Sequence, residues 1–184
     1  MRFDFVYRQA AFNNEFGFFR VDGADGTIGS LPPDTRDTWP PPEDPTITPG
    51  YFAAAFDRAT VVFPKGSLPA TPDVVLPFNG GDHLVFFLVQ NNTLANLIAS
   101  NPNNVLEGSP IAFFSLDTLN PDDNDHLVAF RNVASELESQ QYTQLAWEDI
   151  GPPGDFNDGV YNVRAEQVVV LPPEVNDRDH GYSQ

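Results

Sequence analysis

The sequence predicts a mainly β domain, a β-sandwich or jelly-roll-like fold carrying two short helices. Short runs rich in Val, Phe and Leu recur along the chain. Pro and Gly punctuate them, with 18 and 13 copies respectively, so few segments between turns are long. Only two stretches carry the spacing of a helix. A length of 184 residues suits one domain with a real core.

The elements follow in order. FDFVY (3–7) alternates apolar and polar residues as a half-buried strand does, and FGFFRV (16–21) follows the polar break NNE as a second strand. DGADG (22–26) is a turn cluster. Seven prolines fall within residues 30–50, which rules out regular structure and predicts a long surface loop over 31–49. Pro49 and Thr48 then open a short helix, YFAAAFDRA, with Thr48 as its cap. VVFPKG and DVVLPF are short strands beside turns. HLVFFLVQ (83–90) is a continuous apolar run, the mark of a central strand. NNTLANLIASNP is a helix of two to three turns, capped by Asn92 or Thr93 and stopped before Pro102. IAFFSL, HLVAF and YTQLAWED are strands, and the alternating GVYNVRAEQVVVL closes a single domain spanning 1–172. Residues 173–184 read as tail or linker. Adjacent pairs Phe86–Phe87 and Phe113–Phe114 require either one ring of each pair to leave the core of a single sheet or burial between layers; burial is the expectation.

Composition narrows the function. Nine basic residues stand against 26 acidic ones, a net charge of −17. Such a chain does not hold nucleic-acid phosphates or an anionic membrane surface, and it favours cations. Hydrophobic residues make up 41%, so it is not a disordered acidic segment. Cysteine is absent, which removes disulfides and thiolate metal sites and leaves a bound metal as an alternative staple. No apolar run reaches the roughly 18 residues of a membrane span. The chain is expected to be a module of a longer exported protein.

The most informative stretch is WEDIGPPGDFNDGVY (147–161). It gathers Glu148, Asp149, Asp155, Asn157 and Asp158 without one Lys or Arg, beside apolar Trp147, Ile150, Phe156 and Val160. Clustered carboxylates raise one another's proton affinity unless a cation intervenes. Calcium takes six to eight oxygen ligands from Asp, Glu, Asn and main-chain carbonyls, often on turns. Gly154 and Gly159 free the backbone, and five residues separate Asp149 from Asp155, so the two acidic groups can meet around one ion. The stretch is not an EF-hand loop. A second acidic cluster, SLDTLNPDDNDHL (115–127), is a turn by its Asn-Pro-Asp signal. There Asp125, at the mouth of HLVAF, is the expected further ligand, whereas Asp122 and Asp123 read as solvated. A third oxygen set is Asn13, Asn14, Glu15 and Asp22, of which Glu15 is the candidate ligand.

Other chemistries lack their motifs. His83, His126 and His180 show no metal-site spacing and read as partly exposed residues. Ser67 and Ser115 lie in no nucleophile elbow, and Gly80-Gly81-Asp82 is not followed by the Lys-Ser/Thr of a phosphate loop. Abundant acids alone do not define a two-carboxylate hydrolase, so the expectation is a protein that is not an enzyme. Trp39, among the prolines, is either folded back onto the domain or offered to a partner.

Five segments carry a family resemblance: FNNEFGFFRVD, YFAAAFDRA, LVFFLVQNNTLANLIASNP, AFFSLDTLNPDDNDHLVAF and LAWEDIGPPGDFNDGVY. Together they resemble a domain of unknown function found in large secreted bacterial proteins, including RTX-type adhesins. The pair WED and DFND is the most specific element. The resemblance implies a calcium-bearing, β-rich adhesion module at the cell surface or outside the cell, with a peptide or glycan as partner. The implied ligands are Glu148, Asp149, Asp155, Asn157 and Asp158, with Asp125 and Glu15 beside them. The alternative expectation is a filament or matrix subunit that pairs with copies of itself and whose calcium only stabilises the fold.

Overall fold

The computed structural model describes residues 1–9, 12–33, 48–122, 124–135, 138–149 and 155–165. Most of the proline-rich loop with Trp39, and the tail at 173–184, lie outside these residues. The strands are β1 (Arg2–Tyr7), β2 (Glu15–Val21), β3 (Ala59–Phe63), β4 (Val74–Val75), β5 (His83–Val89), β6 (Ala112–Phe114), β7 (Leu127–Ser135), β8 (Glu138–Trp147) and β9 (Gly159–Arg164). The helices are α1 (Tyr51–Asp57) and α2 (Leu94–Ser100), with one 3-10 turn at Asp117–Leu119. They build two antiparallel sheets, a five-stranded β4-β1-β9-β8-β7 and a four-stranded β3-β2-β5-β6. The architecture is thus mainly β and of sandwich type, with β5 an inner strand.

The four-stranded sheet is buried on both faces, which explains its continuous apolar runs. Phe16, Phe18, Leu88 and Phe113 face the five-stranded sheet, where they meet Phe3, Phe5, Leu145, Trp147 and Tyr161. Phe19, Val85, Phe87, Val89 and Phe114 face the other way, onto Tyr51, Phe52 and Phe56 of α1 and Leu94 and Leu97 of α2. Phe113 and Phe114 are therefore both buried, in different cores. Between the sheets the Tyr161 ring lies 4.0 Å from that of Phe16 and 4.7 Å from that of Phe5, close to parallel with each. Burial pushes the Tyr161 phenol above its ordinary pKa.

Gly17 marks the tightest approach in this sheet. A Cβ there would stand 2.5 Å from the Phe87 ring and 2.5 Å from the Thr60 carbonyl oxygen. The register between β2 and β3 shifts at the same point, between Phe16 and Gly17, the position a glycine takes at a bulge.

The helix caps differ in part from expectation. Thr93 caps α2, its hydroxyl accepting from Asn96 N at 3.3 Å. Thr48 does not cap α1 with its side chain; the helix starts from Gly50 at φ 83°, and Thr48 contributes only its carbonyl, to Tyr51 N. A left-handed Gly50 turns the chain into the helix without side-chain help.

Candidate metal centre

The acidic stretch is divided by the β8–β9 hairpin. Trp147 and Gly159 pair as its last rung, so Glu148 and Asp149 leave β8 opposite Asp158 entering β9. Main-chain bonds fix this mouth: Asp158 N donates to Trp147 O at 3.0 Å, and Glu148 N to His126 O at 3.0 Å. Asp149 N then donates to the Asp158 carboxylate at 2.8 Å. One carboxylate oxygen from each of Glu148, Asp149 and Asp158 lies within 4.8 Å of the others.

Glu148 and Asp149 are withdrawn from water, and Asp158 is half-buried. Glu148 is 7% exposed and Asp149 1%. Asp149 Oδ2 accepts from Asn14 Nδ2, while its Oδ1 is buried without a hydrogen-bond partner among the described residues. Burial, then the neighbouring Glu148 charge, pushes the Asp149 carboxyl above the usual range; burial and the Asp149 charge do the same to Asp158. Hydrogen bonds from Asn14 to Asp149 and from the Asp149 main chain to Asp158 oppose this without cancelling it, while the contact between the Asp149 and Asp158 carboxyls lowers the first and raises the second.

A ring of neutral groups holds the cluster in place. Asn14 joins it to the four-stranded sheet, accepting from Asn91 N at 2.8 Å while donating to Asp149. Gln90, just past β5, donates to the Asp149 carbonyl. His126 is fully buried and stacked on Phe113 with ring centroids 3.6 Å apart. Its Nδ1 lies 2.9 Å from the Glu148 carbonyl, and its Nε2 3.0 and 3.1 Å from the two Asp122 oxygens. Both expectations for this turn are thereby corrected. His126 is not partly exposed, and Asp122 is not a free solvated acid but the partner of a buried ring. Burial works against ionising Asp122, but hydrogen bonds from His126 and Asn124 outweigh it and hold its carboxyl below the usual range.

The structure brings together three of the seven expected ligands. Asn157 stands beside the hairpin mouth, but its amide donates to Gln9 Oε1 at 3.1 Å, and its carbonyl accepts from Gln9 N at 3.0 Å. Asp155 and Asp125 are exposed and outside the three-carboxylate group. Glu15 is buried but points elsewhere: its Oε1 accepts from Leu94 N at 2.7 Å, at the start of α2. A carboxylate there satisfies a helix N-terminal amide and opposes the positive end of the helix. Asn14 could be found in the sequence as part of an oxygen-rich set, but nothing in the sequence pointed to Gln90 or His126.

The donor set fits a hard divalent cation. It is all oxygen, three-fold anionic and converging, and one buried oxygen has no hydrogen-bond partner among the described residues. The carbonyls of Glu148 and Asp149 are engaged by His126 and Gln90, so these residues face the centre with their carboxylates.

Fold and site together describe a two-sheet β domain with a carboxylate cluster at one end of its sandwich. Residues 78–166 match the family described as Domain of unknown function (DUF4114). The matched region contains β5 to β9, α2 and the whole cluster, whereas β1 to β4 and α1 precede it. No curated protein and no solved structure matches the chain.

Proposed function

We propose that this domain is a calcium-dependent ligand-binding module of a secreted bacterial surface protein, one that adheres by recognising a peptide or glycan. The observation that carries the reading is the convergence of Glu148, Asp149 and Asp158 with a buried oxygen on Asp149 that has no hydrogen-bond partner among the described residues. Burying such a group is costly unless a charge compensates it, and Ca²⁺ supplies that charge. An extracellular setting agrees with millimolar calcium and with a fold stapled without cysteine. The ion would fix the ends of β8 and β9.

A second reading, a structural subunit in which calcium only stabilises the fold, has one observation behind it. Glu148 and Asp149 are largely enclosed, which leaves a ligand little access to the ion. The two readings separate in one experiment. Immobilised domain is probed with peptide and glycan arrays in calcium and in chelator, as wild type and as Asp158→Asn. A binding module captures members of one array in calcium and loses them in chelator and in the variant. A domain none of whose captures depends on calcium and on Asp158 contradicts the proposal, and stabilisation by calcium without any calcium-dependent capture supports the structural subunit.

A further inference from the structure

The end of the four-stranded sheet remote from the carboxylate cluster carries a cavity of about 410 Å³, lined by Arg20, Val21, Asp22, Arg58, Asp82 and His83. It opens where β2 ends and β5 begins, at the rung Val21–His83. The cluster lies beyond the other end of these strands, about 20 Å away for seven residues. The cavity falls within the range of about 300–1,000 Å³ in which small ligands are held.

Its polar side chains are held in place. Arg58 Nη1 donates to Asp22 Oδ1 at 2.9 Å, and Asp22 Oδ2 accepts from Gly29 N at 2.6 Å. The Arg20 guanidinium lies 4.9 Å from the centroid of the Phe78 ring, donates to the Pro77 carbonyl at 3.2 Å and stands 3.6 Å from Asp82. Asp82 in turn accepts from Asn79 N at 3.1 Å. Groups fixed before binding lose little freedom on binding. The Arg58 bond also holds the Asp22 carboxyl below the usual range, so that it stays an acceptor.

What these groups can recognise follows from their charges and remaining bonds. Two guanidinium groups face two carboxylates, so the formal charges of the lining balance. Each guanidinium has five N–H donors and each carboxylate several lone pairs, more than the contacts above consume. An anionic ligand would meet Asp22 and Asp82 inside a chain of net charge −17, and a cationic one would meet two arginines. A hydroxyl donates and accepts at once, so adjacent hydroxyls match alternating carboxylate and guanidinium edges. We infer that this cavity binds a neutral polyhydroxylated ligand, a saccharide unit. The inference does not depend on the metal centre.

The test is calorimetric titration with glucose, galactose, mannose, fucose and N-acetylglucosamine, with glucuronate and glucosamine as charged controls. Each is run in calcium and in chelator. At least one neutral sugar should bind saturably, more tightly than either charged control. Arg58→Gln and Asp82→Asn should each weaken it about tenfold or more, as expected for losing a charged hydrogen-bond partner, with unfolding temperatures near that of wild type. Binding should persist in chelator and in Asp158→Asn, so failure here is distinct from failure of the calcium reading. No saturable neutral sugar, preference for a charged control, insensitivity to both cavity variants, or loss of binding in chelator would each overturn the inference.

Discussion

Replacing Asp149 by Asn should have opposite effects with and without calcium. The carboxylates of Glu148, Asp149 and Asp158 present oxygens within 4.8 Å of one another. At that separation two unit charges repel by roughly 3.5 kcal/mol at an effective dielectric of about 20 and by roughly 0.9 kcal/mol in water. Asp149→Asn removes two of the three repulsions and keeps an oxygen to accept from Asn14. It also puts an NH₂ donor where Oδ1 lacks a partner among the described residues. The water-like limit alone gives about 2 kcal/mol for two pairs, so the chelated variant should melt roughly 4–8 °C above chelated wild type. Calcium reverses the order. Wild type gains RT ln(1 + [L]/Kd), about 4.1 kcal/mol at a thousandfold excess over Kd, whereas the variant has lost one of three anionic ligands and gains little. Differential scanning calorimetry in chelator and in calcium reads both effects. If Asp149→Asn melts lower than wild type in both buffers by the same amount, Asp149 is an ordinary hydrogen-bond acceptor and the electrostatic reasoning fails.

Three further predictions use the same measurement. The Asp149 and Asp158 carboxyls sit above their ordinary pKa in the metal-free fold. Ionising them therefore costs stability as pH rises from about 4 through the raised values, and acid relieves that cost. A bound ion needs the same groups ionised, so its stabilisation is lost as pH falls through this window. The gap between melting temperatures in calcium and in chelator should be widest near neutrality and close toward pH 4; a constant gap would contradict the assignment. Glu15→Ala should cost about 2 kcal/mol by leaving Leu94 N, at the start of α2, without its acceptor. Its calcium-induced rise should match that of wild type, because Glu15 lies outside the cluster. Gly17→Ala should cost about 1–3 kcal/mol in either buffer, since its Cβ would meet the Phe87 ring and a main-chain oxygen at 2.5 Å.

Much of this fold was legible because period and punctuation agreed. FGFFRV, HLVFFLVQ and GVYNVR are bounded by turns and rich in β-forming residues, and each becomes a strand. The three-layer arrangement of helices, four-stranded sheet and five-stranded sheet was less legible. A strand buried on both faces reads as a plain apolar run, and such a run does not say which partner covers which face. At the candidate site, Glu148, Asp149 and Asp158 could be read because they flank a hairpin mouth and local spacing alone brings them together. Glu15 could not be placed, because its partner Leu94 is 79 residues away. For the same reason the sequence presents the carboxylate as a ligand, whereas its oxygen serves a helix. His126 reads as partly exposed in the sequence because its burial depends on Phe113 and on the end of β8, which only the tertiary fold supplies. Asp155 sits in the same acidic stretch yet points to solvent; composition counts oxygens but not their directions.

The most direct test of the central claim is the unfolding temperature of the wild-type chain after exhaustive chelation, titrated with calcium and, separately, with magnesium. An ion held by Glu148, Asp149 and Asp158 predicts a saturable rise with calcium, about 2.7 kcal/mol at a hundredfold excess over Kd. Magnesium, which gives up its water reluctantly, should produce a smaller rise. Identical melting curves in chelator and in calcium would mean that the three clustered carboxylates are tolerated without a cation, and the metal centre would be wrong.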